Sequence, residues 1–122
     1  MPSIAIIGAS KDRKKFGNKA VRAYKSQGYE VFPINPKEKE IEGLKTYPSI
    51  LKTPKTPDLA SLYLPPEIGI KVISEVAQAG VKVVYINPGA ESQELIAKAK
   101  KLGLEPRMAC SIRAIGINPD EL

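Results

Sequence analysis

The sequence predicts an α/β fold, a five-stranded parallel sheet with helices on both faces. Three observations predict it. Five short apolar runs, at residues 4–7, 29–34, 58–64, 82–86 and 104–108, have the length and continuity of strands buried on both sides. Stretches with helical spacing lie between most of them. Each of the first four runs stops abruptly at glycine, asparagine or proline.

Ile4-Ala5-Ile6-Ile7 ends in Gly8-Ala9-Ser10. Gly8 allows a tight turn and close approach of a ligand. A basic loop follows, Lys11-Asp12-Arg13-Lys14-Lys15, then Gly17-Asn18 and a helix over 19–27. The helix start points its amides and positive dipole end back at the turn, a place suited to phosphate. The second strand, 29–34, stops at Asn35-Pro36-Lys37. Glu42-Gly43 predicts a turn, residues 47–51 a short helical turn, and Thr53-Pro54-Lys55-Thr56-Pro57 a rigid connection.

The third strand runs to Leu64 and is stopped by Pro65-Pro66. Ile68, Val72, Ile73, Val76 and Ala79 share one helical face over 66–79, with proline at its start and Gly80 past its end. The fourth strand stops at Asn87-Pro88-Gly89-Ala90. A helix over 91–102 has Glu91 and Glu94 early and Lys98, Lys100 and Lys101 late, as the helix dipole prefers. Gly103 caps it, the fifth strand follows, and 111–122 is expected as a helical turn and coil. Together these elements predict one Rossmann-like domain over residues 1–122, with strand order 3-2-1-4-5.

Composition narrows the chemistry. The 122 residues carry a net charge of +6, no histidine and one cysteine, Cys110. Histidine-based acid–base catalysis, a Ser-His-Asp triad and a structural zinc site are therefore excluded. No apolar run is long enough to span a bilayer and no signal-peptide pattern is present, so a cytoplasmic protein is expected. The basic balance suits an anionic small molecule. Nucleic acid is disfavoured by the spread of the lysines and the seven aromatics, and a protein partner stays open.

In such a sheet, ligands bind beyond the carboxyl ends of the strands. The residues there are Gly8-Ala9-Ser10, Asn35-Pro36-Lys37, Leu64-Pro65-Pro66, Asn87-Pro88-Gly89 and Ala109-Cys110. None is a carboxylate, and no base or polarised nucleophile converges with them. They suit holding a ligand more than transforming it. The dinucleotide fingerprint needs G-x-G-x-x-G and an acid about twenty residues on. Here the next glycine is Gly17 and the second strand ends in Asn35 and Lys37, which disfavours NAD. Lys37 suits a ribose phosphate, whether of NADP or of coenzyme A (CoA). An NADP-binding domain, a small redox regulator, and an interaction module for an acidic protein or nucleic acid remain as alternatives.

One combination is more specific: Gly28-Tyr29-Glu30-Val31-Phe32-Pro33-Ile34-Asn35-Pro36-Lys37, then Gly43-Leu44-Lys45-Thr46-Tyr47-Pro48-Ser49, with Asn87-Pro88-Gly89-Ala90 and Met108-Ala109-Cys110 later. It resembles the small CoA-binding proteins similar to the N-terminal CoA-binding domain of succinyl-CoA synthetase alpha subunits. The family often has Arg-Pro after the third strand, Trp in the fourth and Met-Asp-Arg-Cys near the end. This chain has Leu64-Pro65, Tyr85 and Met108-Ala109-Cys110.

The resemblance implies non-catalytic binding of coenzyme A or an acyl-CoA. It places Gly8, Ala9 and Ser10 on the pyrophosphate through backbone amides and the Ser10 hydroxyl, with charge from Arg13, Lys14 and Lys15. It places Asn35 and Lys37 on the adenosine ribose and its 3′-phosphate. Leu64 and Pro65 flank the adenine or the pantetheine arm, and Asn87, Pro88 and Gly89 line the other wall. Tyr63 and Tyr85 are expected in the core. Cys110 falls on the ligand edge, where it is either a buried small hydrophobe or close to the CoA thiol.

Overall fold

A computed structural model describes residues 1–122. Five parallel strands form the main sheet: β1 (Ser3–Ile7), β2 (Glu30–Ile34), β5 (Leu59–Leu62), β6 (Val83–Ile86) and β7 (Glu105–Met108). A small antiparallel pair, β3 (Glu40–Ile41) and β4 (Leu44–Lys45), lies outside it. The helices are α1 (Phe16–Ser26), α2 (Pro66–Gln78), α3 (Gln93–Lys101) and the single turn α4 (Ser111–Ala114). Two 3-10 turns, Ile50–Lys52 and Pro119–Glu121, complete the chain.

The alternation of β1 explains the layers. Ile4 and Ile6 enter one core with Ala20, Val21, Tyr24 and Ile112, from α1 and α4. Ala5 and Ile7 enter the other with Ile73, Val76, Leu95 and Ala99, from α2 and α3. A strand buried on both faces reads as a nearly continuous apolar run, and the buried exceptions, Ser3 in β1 and Ser61 in β5, are hydrogen-bonded. Burying each of the larger side chains, such as Ile4, Ile6 and Leu95, stabilises the fold by about 1.5–3 kcal/mol.

The sheet order is β2-β1-β5-β6-β7, which in main-strand numbering is 2-1-3-4-5. The expected order 3-2-1-4-5 is corrected. In that order the third strand lies at the sheet margin. Here Ala60, Ser61 and Leu62 are fully buried, which a central strand requires, and β5 pairs with β1 on one side and β6 on the other. The segment after β2 carries no crossover helix. It folds into the β3–β4 hairpin and a 3-10 turn, then passes to the far side of β1. The hairpin turn is Glu42-Gly43, at φ 50° and 76°.

The marginal strands each contain a proline, Pro33 in β2 and Pro106 in β7. The Glu30 amide donates inward to Pro2 and the Glu105 amide inward to Lys82. By alternation both prolines turn their missing N–H outward, where no ladder bond is lost. α1 begins three residues earlier than its periodicity suggests. No helix is long and apolar enough to cross a membrane.

Candidate functional site

Strand order reverses between β1 and β5, and a cleft of about 480 Å³ opens above that point. Its size suits a small-molecule site. Gly8, Lys15, Phe16 and Gly17 form one wall. Tyr63, Leu64 and Pro65, past β5, form the floor, and Asn87 to Ala90, past β6, the opposite wall. Cys110, Arg113, Pro119 and Asp120 close the end.

Two glycines make this geometry possible. Gly8 has φ +90°, and a Cβ there would sit 2.5 Å from the Tyr63 carbonyl oxygen. A Cβ on Gly17 would overlap the Gly8 carbonyl. The start of α1 therefore lies directly on the β1 turn. Its N-terminus has no side-chain cap and no acidic residue in the first turn. The Phe16 and Gly17 amides make no hydrogen bond within the protein and belong to cleft-lining residues. With Lys15 and Arg113 beside them, these donors favour an anionic group.

Eight of the expected residues line the cleft: Gly8, Lys15, Leu64, Pro65, Asn87, Pro88, Gly89 and Cys110. The others lie outside the lining, and several have polar groups already engaged within the protein. The Gly8 and Ala9 amides both donate to the Ile34 carbonyl, at 3.2 Å each. The Ser10 hydroxyl accepts from the Asp12 amide. Asn35 donates to the Ala9 carbonyl and accepts from the Lys37 and Glu38 amides, so its side chain shapes the β1 turn. Arg13 pairs with Glu42 at 2.7 Å. Lys14 and Lys37 are exposed and form no ion pair.

Asn18 organises the basic loop. Its amide donates to the Ser10 carbonyl and to Glu42, and its oxygen accepts from Arg22. The Asn18 bond, with Arg13 and Arg22 nearby, holds the Glu42 carboxyl below its usual range.

Beneath the cleft runs a buried polar chain. Ser111 Oγ meets Ser61 Oγ at 2.7 Å and the Tyr63 hydroxyl at 2.9 Å, and the Tyr24 hydroxyl donates to the Ser111 carbonyl at 2.6 Å. Burial pushes the Tyr63 hydroxyl up to about 12, against the opposing effect of its serine bonds. Tyr85 is in the core as expected. Tyr63 packs on the core and also lines the cleft. Sequence reasoning missed Phe16, because the helix is expected to begin at residue 19, and Arg113, Pro119 and Asp120, because nothing local marks a C-terminal tail that folds back over the carboxyl end of the sheet.

Fold and site together define a small-molecule-binding α/β domain with a cleft at its switch point, lined by unpaired amides and basic residues. A family model described as "CoA binding domain" matches residues 2–116, and the chain belongs to that family, whose ligand is coenzyme A. It is 37% identical over 112 residues to the ADP-forming acetate-CoA ligase II subunit alpha of Pyrococcus furiosus, covering 83% of this chain and 24% of that protein. It is 37% identical over 120 residues to the ADP-forming acetate-CoA ligase II of Archaeoglobus fulgidus, covering 95% and 18%. The chain thus spans a quarter or less of the length of these curated relatives.

Among solved structures, a conserved hypothetical protein from Pyrococcus furiosus is similar at TM-score 0.82 and 41% identity, covering 88% of this chain and 92% of that one. The dinucleotide-forming acetyl-coenzyme A synthetase 1 of Candidatus Korarchaeum cryptofilum, in complex with phosphate and ADP, is similar at TM-score 0.79 and 33% identity, covering 88% and 25%.

Proposed function

We propose that residues 1–122 act as one binding domain that holds coenzyme A or an acyl-CoA in this cleft and performs no chemistry on it. The open Phe16 and Gly17 amides beside Lys15 carry this reading, because they offer an anion site at the sheet's switch point. A ligand phosphate occupies that corner. The adenosine end extends over the β2 terminus toward Lys37, and the pantetheine arm follows Leu64 and Pro65 toward Pro88, Gly89 and Cys110.

The lining supports binding without turnover. It contains no histidine, and its one carboxylate is the exposed Asp120. No group of histidine, cysteine or carboxylate side chains is placed to hold a metal. The chain spans only a fraction of the ligases it resembles, so acyl chemistry, where it follows, lies outside residues 1–122. A reducing cytoplasm suits the free Cys110 thiol.

Calorimetric titration of the purified protein with CoA, acetyl-CoA and NADPH tests the reading. CoA or its acyl form is expected to bind, NADPH far less well, and acetyl-CoA to be recovered intact. Tight NADPH binding without CoA binding, or turnover of the thioester, overturns it.

A further inference from the structure

We propose that Asn87 is a positioning residue whose carboxamide locks three walls of the cleft together before coenzyme A arrives. This role rests on the cleft being the CoA site.

Asn87 follows β6 and is 2% exposed. Its Nδ2 donates to Ser61 Oγ at 2.8 Å and to the Leu62 carbonyl at 2.9 Å. Its Oδ1 accepts from the Ser111 amide at 2.9 Å. The partners dictate the orientation. A backbone carbonyl only accepts and a backbone N–H only donates, so nitrogen must face Leu62 and oxygen must face Ser111. Both amide protons are thereby used, and none remains to read a ligand.

The three partners stand where the cleft walls begin. Leu62 is the last residue of β5, and Tyr63-Leu64-Pro65 follow it as the floor. Asn87 leads into Pro88-Gly89-Ala90, and Ser111 opens α4 between the lining residues Cys110 and Arg113. Past the ends of the strands, ladder hydrogen bonds no longer hold these segments to one another. The Asn87 carboxamide reaches all three. Ser111 extends the link through Ser61 and Tyr63. An aspartate would set a carboxylate oxygen against the Leu62 carbonyl, and a serine or alanine is too short to span the gap. A cleft preorganised in this way binds more tightly, because ligand binding does not have to order its walls.

Asn87→Ala tests the role, with Ile73→Val as control. Ile73, on the inner face of α2, is fully buried and outside the cleft lining. CoA affinity is measured by calorimetry well below each variant's unfolding temperature, and exchange of the Ser111 amide by hydrogen–deuterium NMR. Asn87→Ala is expected to weaken CoA by about tenfold, the size of one lost hydrogen bond, and to speed Ser111 exchange. Ile73→Val is expected to lower stability and leave CoA affinity unchanged. Where Asn87→Ala does not fold, Ser61→Ala carries the test, with a smaller loss in the same direction. Wild-type affinity in the variant overturns the proposal, as does an equal loss in Ile73→Val. Failure of the wild-type protein to bind CoA overturns both readings, and is recognised before any variant is made.

Discussion

Gly17 sits so close to Gly8 that a single methyl group on it would overlap the Gly8 carbonyl oxygen. The first turn of α1 and the turn after β1 are thus one packed unit, which sets Phe16 and Gly17, whose amides are unpaired, in the cleft wall. Gly17→Ala is expected to destabilise the fold by about 1–3 kcal/mol, the range for forcing atoms into a packed site, and to weaken CoA. Gly8→Ala is expected to cost more, since overlap with Tyr63 adds to about 1–2 kcal/mol for a left-handed backbone. Gly89→Ala, at φ +91° with open space around it, is expected to lose only the backbone part. Urea denaturation ranks the three, and equal losses would refute the packing argument.

Lys37 is exposed at the end of β2 and unpaired. Lys37→Ala is expected to weaken CoA more than dephospho-CoA. A charge-assisted hydrogen bond contributes about 1.5–3 kcal/mol, so the difference should be about tenfold to a hundredfold. Added salt is expected to weaken CoA binding to the wild-type protein, since exposed charges are screened. Equal losses for both ligands in calorimetry would remove Lys37 from the 3′-phosphate.

Tyr24 and Tyr63 make the fold sensitive to alkali. Burial raises both hydroxyls, Tyr63 to about 12 and Tyr24 further, so the folded state favours the protonated form. The unfolded chain ionises near pH 10. Their contribution is therefore complete below about pH 10 and is lost as pH rises from there through the folded values. Thermal unfolding across pH 8 to 12 is expected to show this decline, and a Tyr24→Phe, Tyr63→Phe double variant a shallower one. An unchanged slope would contradict it.

Asp58 gives the opposite dependence. Its carboxylate accepts from the Ser3 amide at 2.8 Å and the Ser3 hydroxyl at 3.2 Å, bonds that hold its pKa below the usual value. Its stabilisation is present above the unfolded carboxylate range and is lost as pH falls through the folded value. Asp58→Asn is expected to lose stability at neutral pH and to converge on wild type in acid, read by chemical denaturation at pH 7 and at pH 3.

Cys110 is half-buried and lines the cleft. A small maleimide is expected to label it slowly in the free protein and more slowly with CoA bound. Mass spectrometry follows the adduct, and labelling indifferent to CoA would place the ligand elsewhere.

The sheet and its helices were legible because β1 and β6 are apolar at nearly every position and the prolines and glycines punctuate cleanly. Strand order was not. It depends on where a polar connection, residues 35–58, lies after β2, and no periodicity encodes that. The site was legible as positions: Gly8, Leu64, Pro65 and Asn87 to Gly89 follow from strand ends alone. It was less legible as roles. Whether the Ala9 amide is free depends on the Ile34 carbonyl, and whether Asn87 is free depends on Ser111, partners set by the tertiary fold. A resemblance between families transfers positions more readily than hydrogen bonds.

Pro33 and Pro106 bear on crowding. A bare strand margin is a template on which another chain can zip, copy upon copy, into a fibre. Here each margin has a gap in its row of donors, and on β2 Tyr47 already pairs with the Pro33 carbonyl and the Asn35 amide, so an incoming strand finds its ladder broken. Lateral fusion of two such sheets is disfavoured at both margins.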